Sequence, residues 1–274
     1  MRLAAGRLDC LGKCYQGADF MTDNRVVQHP SYKVPMLTWW EGIYDQVFVA
    51  LHPFYRIRKA GVSVSPAGSE IYEDVLPCDD RPENFCDMIK SRGEAVSWAE
   101  VHQAVAPDLP RSDVYLAIWL LACIGYQDRA GIDLQKRLAV YCQANRLYLP
   151  EDDGLAAILQ PVVQEFLSCF GCRDVTAWDE FRHHSETVPL SVFRKAEPCY
   201  WLPQSITSPA VWGLHLPNPG ILMTWGFDGT EAIIAMTSRT LEMARPENFF
   251  EGWYADAGTF ADVFNPVEFL KREQ

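Results

Sequence analysis

Basic residues are in short supply in this chain of 274 residues: 24 Lys and Arg face 36 Asp and Glu, for a formal net charge of -12 at pH 7. That deficit argues against direct binding of nucleic acid, which needs Lys and Arg to displace the counterions condensed on phosphates. Long apolar runs are missing too. The strongest, Val114 to Tyr126, is too short to cross a bilayer and reads as a buried helix. Met1 to Leu11 carries Arg2 and Arg7 but no sustained apolar stretch of the kind a secretory signal needs. The chain has no glycine-rich dinucleotide or phosphate loop, no H-E-x-x-H and no G-x-S-x-G elbow. Nucleotide transfer and triad hydrolysis therefore lack their usual positioning devices.

What is present is the composition of a globular protein, 49% hydrophobic and 12% aromatic, which excludes a disordered chain or a fibre. Nine cysteines, an odd number spread from Cys10 to Cys199, suit a reducing compartment and hence a cytoplasmic location better than a disulfide framework. Residues 1–20 read as an N-terminal extension, Met21 being an alternative start, and 21–274 as a single domain.

Helix signals dominate the first two-thirds. Thr38 and Glu41 have capping-box spacing ahead of Trp40, Ile43, Tyr44, Val47, Phe48 and Leu51, which predicts a helix up to Pro53. Further helices are expected from about Pro82 to Ser91, after Ser97, from Ser112 through Cys123 at the centre of the core, over Asp133 to Asn145, over Asp153 to Phe170, and from Thr176 to His183. After Pro189 the period changes to that of strands, at Val211 to Leu216, Ile221 to Phe227 and Glu231 to Thr237, with turns at Asn218 to Gly220 and Asp228-Gly229. The expected fold class is α+β, mainly helical to about residue 190, with a small antiparallel sheet at about 210–238.

Two constellations suggest metal chemistry. Cys169 and Cys172 form C-x-x-C with His183 and His184 downstream, but the interval is shorter than a zinc finger's and adjacent histidines do not make an H-x3-5-H pair. His184-Ser185-Glu186 with Pro198-Cys199 has the start of a zinc-deaminase pattern, whose second cysteine would fall at Leu202. No metal and no cofactor is expected, and no catalytic residue stands out. His29, His52, His102 and His215 are isolated in sequence, and each reads as structural.

The acids are grouped. Asp79, Asp80 and Glu83 lie in one acidic stretch, Glu151, Asp152 and Asp153 run together, and from Asp228 to Glu268 only Arg239 and Arg245 oppose the carboxylates. Tryptophans at positions such as 39, 40, 201, 212, 225 and 253 offer anchors that would supplement such charges at an interface. In overall profile, acidic, compact and without visible catalytic apparatus, the chain resembles the immunity proteins that neutralise bacterial toxins, including inhibitors of secreted nuclease effectors. The resemblance implies a protein that acts by binding a basic protein partner, with no direct nucleic-acid or membrane contact, and it assigns no residue. The six acids Asp79, Asp80, Glu83, Glu151, Asp152 and Asp153 are the expected partner contacts. An enzyme whose site assembles only in three dimensions, hydrolytic or metal-dependent, and a regulatory or scaffold protein are the competing classes.

Overall fold

A computed structural model describes residues 23–58, 82–205 and 209–265. The expected extension at 1–20 and the acids Asp79 and Asp80 lie outside the described residues. In chain order the elements are α1 (Met36–Trp39), β1 (Gln46–Leu51), β2 (Phe54–Ile57), α2 (Phe85–Arg92), β3 (Gly93–Val96), α3 (Trp98–Val105), α4 (Arg111–Cys123), α5 (Ile132–Ala144) and α6 (Gln160–Ser168). They are followed by β4 (Asp174–Trp178), β5 (Ser185–Pro189), β6 (Gly213–Leu216), β7 (Ile221–Trp225), β8 (Glu231–Met236), α7 (Ser238–Met243) and β9 (Gly252–Tyr254).

Seven of the strands form one sheet in the order β5-β4-β6-β7-β8-β1-β9, and β2 pairs with β3 in a separate ribbon. Every pairing in the large sheet is antiparallel. This corrects the expectation of a mainly helical chain with a small C-terminal sheet: the sheet is large and draws a strand from near the start of the described chain into its interior. The predicted helix from Thr38 is a single turn, α1, and its continuation is β1. Val47-Phe48-Val49-Ala50-Leu51 is buried throughout, and a strand buried on both faces is a continuous apolar run that periodicity cannot tell from a buried helix. Gly42, at φ +77°, breaks the helix before it. Thr176 opens no helix either. It sits within β4, where Val175 and Ala177 are buried, Thr176 and Trp178 half-buried and Asp174 exposed, the two-residue period of a strand. The helix expected from Asp153 begins only at Gln160, because Asp153 (φ 56°) and Gly154 (φ 94°) turn the chain left-handed first.

Local signals elsewhere correspond to what forms. Ser97 Oγ accepts the Glu100 N–H at 3.0 Å and starts α3, and the β6-β7-β8 meander turns where its Asn, Gly and Pro residues fall.

The two faces of the sheet carry different layers. Phe48, Ala50, Met223, Trp225, Ala232 and Ile234 pack with Ile89 of α2 and Phe166 of α6. On the other face Val47, Val49, Leu222, Ile233 and Ala235 meet Met36, Trp40 and Tyr44 of the N-terminal segment. Arg182 ties that segment down: its Nε donates to Val27 O at 2.8 Å, and one terminal nitrogen donates to Trp212 O at 2.8 Å and Thr224 Oγ1 at 2.6 Å. Burial pulls its guanidinium pKa down to about 10.

Helices α3, α4 and α5 make a third cluster around Trp98, Ile118, Leu120 and Leu138, joined to the sheet through Leu51. Thus α4 is the centre of this helical layer and not of the sheet's core. Leu120 is fully buried, so Leu120→Ala is expected to cost about 2 to 5 kcal/mol through the cavity it leaves. Urea midpoints measure it, and a change below about 1 kcal/mol would make α4 peripheral.

Candidate functional site at the carboxylate end of the sheet

Where β1 ends, β7 ends and β8 begins, the chain collects polar groups. Leu51 pairs with Glu231 and Trp225 with Ala232, so His52, the Gly226 to Thr230 turn and Glu231 share one end of the sheet. The segment around Glu151 to Gly154 lies against it: Asp153 N–H donates to Gly229 O at 3.3 Å, and Asp228 N–H donates to Asp153 Oδ1 at 2.8 Å. Helix α4 closes the corner, Trp119 Nε1 donating to Asp228 O at 2.7 Å.

His52 holds the corner together. Its Nε2 accepts the Trp225 indole N–H at 2.9 Å, so Nδ1 carries the proton and donates to Glu151 O at 2.6 Å. Its own carbonyl accepts Trp98 Nε1 at 2.6 Å. Burial holds the imidazole pKa down to about 4, and both ring nitrogens are spent on structure. Among the described residues no histidine ring is hydrogen-bonded to a carboxylate, hydroxyl or thiol side chain, so none has the nucleophile–base–orienter arrangement of a triad.

Around Cys123, at the end of α4, the carboxylates converge. The charges of Asp152, Glu231, Asp228 and Asp153 all bear on its thiol and, after burial, push its pKa up. Asp152 is raised by burial first and then by Asp153 and Asp228, and Asp228 by burial and then by Asp153. Glu231 is buried, with 6% of its surface exposed, and its Oε2 has no hydrogen-bond partner. Burial, reinforced by Asp262, pushes its pKa up to about 8, while the Thr230 N–H pulls the other way. Thr230 Oγ1 beside it is likewise buried without a partner. Ion pairs among the described residues join Arg25 to Asp23, Arg58 to Glu94 and Arg245 to Glu247, and none reaches these acids.

Large apolar side chains edge this corner. Phe227, next to Asp228, is 65% exposed, and Ile124 and Tyr126, just past Cys123, are 47% and 52% exposed. On the other side of Asp152 lies a cavity of about 580 Å³, reached by Glu151 and Asp152 and lined by Tyr55, Phe85, Leu121 and Tyr148 among others. Tyr55 and Tyr148 stack there at 5.1 Å between ring centroids.

The structure sorts the acids expected from sequence. Glu83 is exposed two residues before α2, whose Phe85 and Cys86 line the same cavity as Glu151 and Asp152. Glu151 is engaged internally, Oε2 accepting the Ala157 N–H at 2.8 Å. Asp153 holds the Asp228 turn, which leaves Asp152 as the exposed member of the run. Sequence reading did not single out Asp228, Glu231 or Cys123. A charge at the head of the otherwise apolar run Glu231-Ala232-Ile233-Ile234-Ala235-Met236 was the available signal for one of them.

The C-x-x-C and its histidines do not meet. Cys172 Sγ lies near Asn218 O at 3.5 Å, at the start of β4, whereas His183 and His184 follow its other end, about 17 Å away at the rise of a five-residue strand. The backbone N–H groups of both histidines donate to Asp179 Oδ1. Among the described residues no three His, Cys, Asp or Glu side chains are placed to share a metal ion.

Fold and corner together define an α+β protein built on a seven-stranded antiparallel sheet, with an unpaired acidic corner at one end. The chain belongs to DUF2711, a family described as protein of unknown function, whose model matches residues 32–264. No curated protein and no solved structure matches it. No helix among the described residues is long and apolar enough to cross a membrane.

Proposed function

We propose that the protein is a binding protein that neutralises a basic partner, in the manner of an immunity protein acting on a nuclease-type bacterial toxin, in the cytoplasm. The observation that carries the reading is the corner of Asp152, Asp153 and Asp228, where Asp228 N–H donates to Asp153 Oδ1 and burial together with the neighbouring carboxylates raises the proton affinity of Asp152 and Asp228. Such a cluster costs free energy in the unbound protein, and the charge of a basic partner relieves that cost. Exposed Phe227, Ile124 and Tyr126 supply the apolar anchors that flank charges at interfaces. The free thiols of Cys123, Cys169, Cys172 and Cys199 suit a reducing compartment.

Steering by these acids acts on the encounter rate and is screened over a Debye length of about 8 Å at physiological ionic strength. Raising salt is therefore expected to slow association with a basic toxin partner and to leave dissociation nearly unchanged. Charge reversal of Asp152 and Asp228 together is expected to slow it about tenfold or more. Surface plasmon resonance against basic effector proteins of the host reads both, with a neutral variant of each effector as control. A salt-independent association rate, or full-rate binding by the reversed variant, overturns the reading.

A further inference from the structure

We infer that the cavity between α4, α5 and the Leu147 to Asp152 segment binds a small amphipathic cation, an aromatic ring carrying a primary alkylamine, with the ring among the tyrosines and the ammonium at Asp152. The basic-partner reading does not use this cavity, and the two share only Asp152.

Close packing leaves a protein interior few voids larger than a water molecule. A hollow of about 580 Å³ beside the helical layer therefore calls for an occupant, and its size is that of a small-molecule pocket. Its floor is apolar and already formed. Tyr55 and Tyr148, both almost wholly buried, stack with their planes 8° apart, and Phe85 meets Tyr148 edge-on at 5.2 Å between centroids. The backbones of the two tyrosines lock the pair: Tyr55 N–H donates to Tyr148 O at 3.3 Å, and Tyr148 N–H to Tyr55 O at 2.8 Å. Leu121 of α4 and Ala139 of α5 supply aliphatic wall.

The charged groups of the lining are Glu151 and Asp152, and no Lys, Arg or His is among its described residues. Glu151 is committed to the Ala157 N–H, whereas Asp152 is exposed and stands at the rim. Carboxylates alone beside low-dielectric walls focus a negative potential that draws cations in and keeps anions out. Half-burial, then the neighbouring Asp153, raise the affinity of Asp152 for a proton, and an ammonium placed beside it offers the same compensation. Aromatic faces tolerate that ammonium as well. One exposed carboxylate over an apolar wall matches one positive charge on an apolar body better than it matches a polyamine or a sugar.

The probes are tryptamine and two isosteres, tryptophol with a hydroxyl in place of the amine and indole-3-propionate with a carboxylate. Each is titrated into the full-length protein by calorimetry, with the Leu121 and Leu149 methyl groups of the lining followed by NMR. Tryptamine is expected to saturate one site and shift both leucines, about tenfold more tightly than tryptophol, with the propionate weaker still. Asp152→Asn is expected to remove the preference for the amine and to leave tryptophol binding within about twofold. Ala139→Trp, which fills the hollow from α5, is expected to abolish binding of both; if circular dichroism shows that this variant does not fold, Asp152→Asn decides alone. Equal affinity for amine and alcohol, shifts elsewhere than at the two leucines, or an amine preference untouched by Asp152→Asn overturns the site. Tryptamine binding with no basic partner showing salt-dependent association upholds the site and overturns the basic-partner reading. Salt-dependent association of a basic partner without saturable tryptamine binding does the reverse.

Discussion

Gly252→Ala is expected to destabilise the protein by about 3 kcal/mol or more, the largest effect of a single added methyl group in this fold. Gly252 pairs with Ala50 where β9 meets β1, and a Cβ built there would overlap the Val49 carbonyl and lie 2.8 Å from the Phe48 ring. The carbonyl belongs to a central strand and has no room to retreat, so β9 must move. Its displacement reaches further than the edge of the sheet. Glu251, the preceding residue, accepts the Trp98 and Ala99 N–H groups at 2.7 and 2.8 Å and so caps α3, and its backbone carbonyl accepts the Leu51 N–H at 2.8 Å. These bonds couple the helical layer to the sheet, and unmet N–H groups at a helix start cost about 1 kcal/mol or more. The matched control is Gly258→Ala, where a Cβ meets nothing nearer than Asp256 Oδ1 at 3.6 Å; its expected effect lies within about 0.5 kcal/mol. Urea unfolding of both decides it, and equal midpoints for the two variants would sink the account of β9.

Stability is expected to peak near pH 6.5 and to fall on both sides, for different residues. Burial lowers the pKa of His29, His52 and His215 to about 4 from the ordinary 6.5, so between these values the unfolded chain binds up to three protons that the native state refuses. Glu231 works in the opposite sense. With its pKa raised to about 8 from 4.5, the native state keeps a proton that the unfolded chain has released. Asp152 and Asp228, also raised, share the sign of Glu231 in the acid range. At roughly 1.4 kcal/mol per proton per pH unit, the histidines win below pH 6.5 and stability climbs with pH. From 6.5 to 8 Glu231 alone remains, and stability declines by about 2 kcal/mol. Buried thiols and phenols enter only above about pH 8.5. Urea midpoints at pH 5, 6.5 and 8 trace the curve. Glu231→Gln is expected to flatten the alkaline limb and to steepen the acid limb, where Glu231 no longer opposes the histidines, and an alkaline limb that persists in this variant would show that another group titrates there.

The corner was half legible before the fold was known. Glu151, Asp152 and Asp153 stand out as a run, but which of them stays free was decided by tertiary hydrogen bonds: Glu151 turns back to the Ala157 N–H and Asp153 to the Asp228 N–H. Asp228 was readable as part of a turn and Cys123 as the end of a helix. That they face each other depends on α4 docking its Trp119 onto that turn, more than a hundred residues along the chain.

By itself the sequence determined whatever rests on neighbours a few residues apart: the Ser97 cap of α3, the runs of α4 and α5, and the β6-β7-β8 meander with its short turns. The tertiary structure alone decided that Val47 to Leu51 is a strand, because an apolar run satisfies helix and strand equally until its backbone finds partners, and here those partners are Glu231 to Met236 and Gly252 to Tyr254. Loop closure over such separations leaves no trace in local periodicity. The unpaired acids owe their shared position to the same closure, since inserting β1 between β8 and β9 is what brings His52, Glu231 and the Asp152 segment to one end of the sheet.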